Sequence, residues 1–518
     1  MANKSVFASI KGRLLPATNT QNAAGAPAYR YSDAHALAQV AMSGTFGATY
    51  YQDPMQELSR TLELANQVDP SFLAQTAVYT RKSGHMKDMP AVLLAVLAGR
   101  DPILFQRVFG RVVDNGKMLR TFVQIMRSGQ TGRKSLGSAP KRMVANWLNE
   151  ASDRAILQAN VGNDPSLADV IKMVHPKPGN KAREALFAWI IGRPCDVALL
   201  PQAVQDFLRF KETGKGAVPD VPFQMLTQLD LSTKHWAKIA ENASWQMTRM
   251  NLNTFQRHGV LALPKMRAHI AATLRDPNKI AKARVFPYQL MTAYQALSAD
   301  MPVEIRDALH DAMELSVRNV PKLRGQVVVC PDVSGSMSGA VTGFRKGATT
   351  VTRFVDVAGL VSAAILRQNP SATVLPFEVK VRDLRLEPRD TILTNAARLA
   401  EQWGGGTNCA APLDWLLAKG RAPDLVIMVS DNQSWAHAAY GNNGTVMMQA
   451  WEKLKKRNPK AKLVCIDIAP YGTTQAKERE DVLNIGGFSD TVFDQIAAFA
   501  NGEMGSDHWV GQIKAVEV

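Results

Sequence analysis

Two carboxylates and three hydroxyls in this chain are spaced as ligands for one hard cation. Asp332-Val333-Ser334-Gly335-Ser336 directly follows the apolar run Val327-Val328-Val329-Cys330. Alternate spacing in a loop that leaves a strand lets three side-chain oxygens turn toward one point, and hard divalent cations take oxygen ligands. Thr407 adds a hydroxyl behind Gly404-Gly405-Gly406, and Asp431 adds a second carboxylate directly after Leu425-Val426-Ile427-Met428-Val429-Ser430. Each piece alone reads as readily as a turn, because Asp, Ser and Gly favour turns. In combination, and at the C-terminal ends of expected parallel strands, they stand where open α/β sheets bind ligands. Mg²⁺ is the expected ion. Asp332, Ser334, Ser336, Thr407 and Asp431 leave it under-ligated, with a position for an acidic side chain or a phosphate.

Hydrolysis fits these residues poorly. Two carboxylates are too few for a two-metal hydrolytic centre. The chain has no Gly-x-x-x-x-Gly-Lys-Ser/Thr loop and no His-Glu-x-x-His. Around Ser336 the sequence reads Gly335-Ser336-Met337-Ser338-Gly339, with Met where a nucleophile elbow needs Ser. A non-enzymatic binding protein is the expectation.

The elements that must carry this site change character near residue 320. Before it, residues 33–43, 55–67, 71–82, 90–99, 103–113 and 141–150 carry apolar residues at three-and-four spacing, the mark of amphipathic helices. Asp53-Pro54, Asp69-Pro70 and Asp101-Pro102 punctuate them. No strand pattern is evident before Gly325, and many short helices at near-regular spacing predict a HEAT-like helical-repeat array. After the linker Asn319–Arg324, strands expected at 325–330, 372–377, 424–430 and 462–468 alternate with helices, which predicts a doubly wound parallel sheet. The expected division is an extended arm over 1–29, a helical domain over 30–320 and an α/β domain over 325–518.

At 518 residues the chain exceeds one core. No apolar run reaches membrane-span length, and the N-terminus has no basic-then-apolar signal pattern. Cys195, Cys330, Cys409 and Cys465 are scattered, without a Cys-x-x-Cys pair, and read as reduced thiols of a cytoplasmic protein.

The net charge of +16 is unevenly placed: residues 1–320 hold 39 Lys+Arg against 25 Asp+Glu. A basic body beside a nearly neutral α/β domain suggests a polyanion surface, nucleic acid first. Arg127, Arg133, Lys134, Lys141 and Arg142 crowd one span among Ser, Gly, Thr and Pro, where flexible spacing lets cations follow a phosphate backbone. Lys172, His175 and Lys177 form a second group at a helix end. The plain alternatives are a solvated helix entry at Pro140 and a histidine that orders its turn. Aromatic residues make up only 7% of the chain, so an extended stacking platform is not evident. Met247, Met250, Met266 and Met291 read as helix packing.

Asp-x-Ser-x-Ser, then Thr, then Asp resembles the metal-ion-dependent adhesion site of von Willebrand factor A domains. Further stretches resemble the Ro autoantigen family, whose helical part is the TROVE module. They include Lys141–Glu150, His175-Pro176-Lys177-Pro178, Met250–Phe255, Ala283–Tyr288, Gly405–Ala410 and Ser430-Asp431-Asn432. The wording at His175–Pro178 and Met250–Asn253 is similar to the bacterial branch. The resemblance implies a ring of helical repeats closed by the A domain, a monomer within a ribonucleoprotein. It implies Y RNA bound outside, single-stranded ends of misfolded RNA threaded through the hole, and tethering to polynucleotide phosphorylase. One departure stands out: Gln158 and Gly162 occupy positions where vertebrate members present basic residues. A metal-dependent protein-adhesion scaffold without an RNA role is the other reading of the same residues.

Overall fold

The computed structural model describes residues 15–283, 285, 287–317, 320–341, 352–435, 444–469, 471–489, 491–504 and 507–518. Residues 1–14 of the expected arm, Arg284 and Phe286 of the Ala283–Tyr288 stretch, and Asn319 of the linker lie outside them.

The Asp-Pro pairs read as breaks turn out to be helix starts. Asp53, Asp69 and Asp101 cap the first turns through their side chains while the following Pro takes the first helical position, where its missing N–H costs nothing. The helices run α1 (Asp33–Ser43), α2 (Pro54–Gln67), α3 (Pro70–Lys82), α4 (Asp88–Arg100), α5 (Pro102–Val112), α6 (Gly116–Ser128), α7 (Ser138–Glu150), α8 (Asp153–Ala159) and α9 (Leu167–Val174), with further helices following. Alternate helices stack: α3, α5, α7 and α9 form one layer, and α4, α6 and α8 the other. This two-layer succession is that of a helical-repeat array.

Two short strands precede the helices, a correction to the expectation that none does. β1 (Thr20–Gln21) and β2 (Pro27–Arg30) pair antiparallel. The α/β part supplies β3 (Val327–Pro331), β4 (Thr373–Val374), β5 (Leu425–Ser430), β6 (Lys462–Asp467), β7 (Thr473–Thr474) and β8 (Val482–Gly486). β4-β3-β5-β6-β8 form one sheet with every pair parallel. β2 pairs with β7, so the arm is docked on the α/β domain. Side chains alternate across the buried strands. Val327, Val329, Ile427 and Val429 join the core shared with the helical part, while Val328, Cys330, Val426 and Met428 pack a separate core on the other face.

Both ends of the helical array meet the α/β domain. Near its start, Tyr79 on α3 accepts a hydrogen bond from Trp509 Nε1 at 3.3 Å, and Gln39 on α1 donates to Asp467 O at 3.3 Å. Near its finish, Glu314 accepts from Ile392 N at 2.8 Å and pairs with Arg367 at 3.1 Å. Helices and sheet therefore close a circuit. Among the described residues, no helix is long and apolar enough to cross a membrane.

Candidate metal centre and nucleic-acid interface

β3 and β5 are neighbours in register, Pro331 opposite Val429, so their C-terminal ends deliver Asp332 and Asp431 side by side. Asp332 N donates to Val429 O at 2.9 Å, and Gly335 N donates to Gly405 O at 3.0 Å, which ties the Asp-x-Ser-x-Ser turn to the glycine loop. Asp332, Ser334, Ser336, Thr407 and Asp431 are all buried. The structure brings these five expected ligands together.

Asp332 Oδ1 accepts from Ser334 N at 2.8 Å and Oδ2 from Ser430 Oγ at 2.6 Å. The Ser334 and Ser336 hydroxyls lie 3.4 Å apart. No ion pair among the described residues includes either carboxylate. Burial, then the charge of Asp431, pushes Asp332 up to about 7, and burial raises Asp431 as well. Two buried carboxylates sharing one site without a counter-charge, beside convergent hydroxyls, fit a hard divalent cation that would neutralise both. No cluster of three or more His, Cys, Asp or Glu suited to a metal occurs among the described residues.

Three neighbours of the site escaped the sequence reading. Ser430 holds Asp332. Asp467 ends β6 beside Ser430 in register, its carboxyl raised by burial. Tyr51, on the loop between α1 and α2, lies near Asp431 and Asp332, whose charges add to burial in raising its hydroxyl, and its ring meets that of Tyr471 at a steep angle, centroids 5.6 Å apart. The helical part thus contributes to the site. A Tyr50-Tyr51 doublet in a Gly- and Thr-rich loop was the available signal.

All eight expected nucleic-acid residues are exposed, and none joins an ion pair among the described residues. Arg127 donates to Lys134 O at 2.9 Å, which folds the turn between α6 and α7. Arg142 donates to Gln106 at 2.6 Å on α5. Asn149 on α7 donates to Lys177 O at 2.9 Å, joining the two groups along the layer of α5, α7 and α9. His175 ends α9 in the left-handed region, φ 47°, so its backbone shapes the turn while its ring faces solvent.

The departure at Gln158 and Gly162 has a local answer. Arg120 on α6 donates to Val161 O at 2.5 Å and Pro165 O at 3.3 Å. A Cβ on Gly162 would lie 2.9 Å from its Nη2. A cation thus reaches this turn from another helix. With Lys117 and Arg154 it lines a cavity of about 910 Å³ that also includes Met250. Met250 is 72% exposed, a correction to its reading as helix packing, whereas Trp245 and Phe255 nearby in sequence are buried.

A second cavity, about 640 Å³, lies inside the closed circuit. Lys87 and Lys117 line it from the start of the array and Lys282 from its far end, with Val341 and Phe488 of the α/β domain. None of these lysines is in an ion pair among the described residues. Burial, then Lys117 and Arg81, holds Lys87 below the usual lysine range.

Residues 326–500 match the family model described as the Ro60 vWA domain. Over 93% of its length the chain is 26% identical to "RNA-binding protein RO60" of Deinococcus radiodurans, covering 96% of that protein. The protein of the same name from Caenorhabditis elegans is 23% identical over 51% of this chain and 41% of its own. The crystal structure of the Deinococcus radiodurans RO (RSR) protein superposes with a TM-score of 0.61 at 21% identity, covering 91% of this chain and all of that one.

Proposed function

Since the chain belongs to the Ro family and carries its A domain over residues 326–500, we propose that it is a non-enzymatic RNA-binding scaffold of RNA quality control. Its proteins of common descent are named as RNA-binding. In this reading, Lys87, Lys117 and Lys282 draw the single-stranded ends of structured or misfolded RNAs into the circuit. The exposed strip from Arg127 to Lys177 holds Y RNA-like noncoding RNA on the outside. Mg²⁺ occupies the centre built from Asp332, Ser334, Ser336, Thr407 and Asp431, and the protein works in the cytoplasm as a monomer within a ribonucleoprotein.

The observation that carries this reading is the gathering of three lysines around one interior cavity. They come from segments far apart in sequence, and with Arg81 they outnumber Asp88 in the cavity's lining, which favours a polyanion. A single strand follows such a path, while a duplex has its bases paired and its width fixed. The metal centre contributes no hydrolysis here. When bound, its cation supplies an electrophilic position for an anionic oxygen.

The outer strip has its own test. Replacing Arg133, Lys134, Lys141 and Arg142 by Ala is expected to weaken binding of structured RNA with or without a tail. It should flatten the log–log salt dependence by about two to four, at roughly 0.7 to 0.9 per phosphate contact. Filter-binding curves over a salt series measure this. Identical slopes and affinities would make the strip a solvated surface.

A further inference from the structure

Three aromatic side chains are exposed among the described residues: Tyr50 at 62%, Trp403 at 49% and Trp435 at 49%. All three sit on loops that build or touch the metal centre. Trp403 precedes the glycine loop, whose Gly404 N donates to Val333 O at 2.8 Å. The Arg353 guanidinium lies over its ring, 5.8 Å from the centroid. Trp435 N donates to Thr407 O at 3.1 Å. Its indole rests on Gly406, where a Cβ would fall 2.1 Å from Cζ2, so only glycine admits the ring there. Tyr50 stands edge-on to Tyr51, ring centroids 4.7 Å apart, and Tyr51 neighbours the Asp332 and Asp431 carboxylates. The other large rings among the described residues are buried or half-buried, Trp451 and Trp509 fully so. Half-exposed indoles flanking one glycine loop forgo that burial and leave π surface open to solvent.

We propose that Tyr50, Trp403 and Trp435 form a stacking rim for the unpaired bases of a single-stranded RNA end, beside the metal centre whose open position suits a phosphate oxygen. The inference rests on the RNA-binding reading above. Stacking on aromatic rings holds any base, which suits a protein that must take ends of varied sequence. RNA is preferred over an acidic protein segment because the loop that carries Tyr50 also borders the basic interior. Gly44 and Thr45 line the 640 Å³ cavity together with Lys87 and Lys117, and the same loop goes on to carry Tyr50 and Tyr51. Val341, on the chain leaving the Asp-x-Ser-x-Ser turn, lines that cavity too. A strand guided by the lysines therefore reaches the rim along one surface.

The test uses the full chain and a hairpin RNA whose short 3′ tail carries 2-aminopurine, a base whose fluorescence falls on stacking. The wild type is expected to quench the probe in Mg²⁺ and to lose the quench in EDTA. Trp403→Ala and Trp435→Ala should each weaken the quench and lower affinity for the tailed RNA by about five- to 100-fold. Neither should alter affinity for the blunt hairpin. Trp403→Phe and Trp435→Phe, which keep a ring, should restore the quench, separating stacking from a folding defect. Tight binding of the tailed RNA without quenching, or quenching that both Ala variants retain, overturns the rim and leaves RNA binding standing. Failure of the wild type to bind either RNA overturns both readings. Mg²⁺-dependent capture of an acidic peptide, lost in the Trp variants while the RNA quench is unchanged, assigns the rim to a protein and overturns the proposal.

Discussion

Replacing Lys87, Lys117 and Lys282 together by Ala is expected to remove most of the preference for RNA that carries a single-stranded end. The three ammonium groups line one cavity and have no ion-pair partners among the described residues. Each phosphate neutralised on a single strand contributes about 0.7 to the log–log salt slope, so three contacts contribute about two. At near-physiological salt that corresponds to a loss on the order of 10- to 100-fold for tailed RNA. Affinity for a blunt hairpin should hardly change, because a duplex does not enter. The outer-strip variant is expected to behave oppositely, weakening both RNAs alike. Because burial and neighbouring cations already oppose the charge on Lys87, the substitutions should leave the melting temperature equal or higher, so weak binding cannot be blamed on unfolding. Fluorescence anisotropy with both RNAs measures the effect. Equal losses for tailed and blunt RNA would place the strand elsewhere.

Asp332→Asn is expected to abolish divalent-cation binding and to stabilise the metal-free protein at neutral and higher pH. Outer-shell partners of a metal ligand cost about 10- to 100-fold in affinity when removed, and a direct carboxylate costs at least that. Asn keeps the shape: its Oδ1 can still accept from Ser334 N, and its Nδ2 can donate to the Ser430 hydroxyl, so the turn should persist. The pH dependence follows from the sign of the shift. Asp332 is pushed up to about 7, above its ordinary 3.8, so the folded metal-free protein holds this proton more tightly than the unfolded chain. Its contribution to stability is present at low pH and declines as pH rises from about 4 through about 7. The same proton competes with the cation, so Mg²⁺ or Mn²⁺ affinity of the wild type should rise over that window. Calorimetric titration and melting curves in EDTA against pH give both readouts. Cation binding by Asp332→Asn equal to that of wild type would remove the site from this position.

What could be read from the sequence was local. Four of the five candidate cation ligands follow strands whose apolar runs are continuous, and a parallel sheet delivers such residues to one edge whatever the loops do, while Thr407 arrives on the glycine loop. Helix starts were marked by Asp, Ser and Asn caps, although the Asp-Pro pairs were taken as interruptions instead of entries. What escaped was carried by contacts between distant segments. β1 and β7 have two residues each, too short for any periodicity, and β2 finds its partner at Thr473–Thr474 near the other end of the chain. β8 has Asn484 inside its apolar run, where Thr474 and Glu478 meet the side chain, so its sequence does not look like a buried strand. Lys87, Lys117 and Lys282 form no cluster in sequence, and only closure of the circuit assembles them. Arg120 fills the turn at Gly162 from a helix forty residues earlier, which a position-by-position comparison with basic relatives overlooks.

The central claim is that a single-stranded RNA end enters the closed circuit and is held there by charge. Its most direct measurement is a salt series of binding curves for the wild type with two RNAs, one hairpin with a 3′ single-stranded tail and the same hairpin cut blunt. The account predicts tighter binding of the tailed RNA, on the order of tenfold or more, and a salt slope steeper by about two, the contribution of three lysines. Equal affinities and equal slopes for the two RNAs would contradict it.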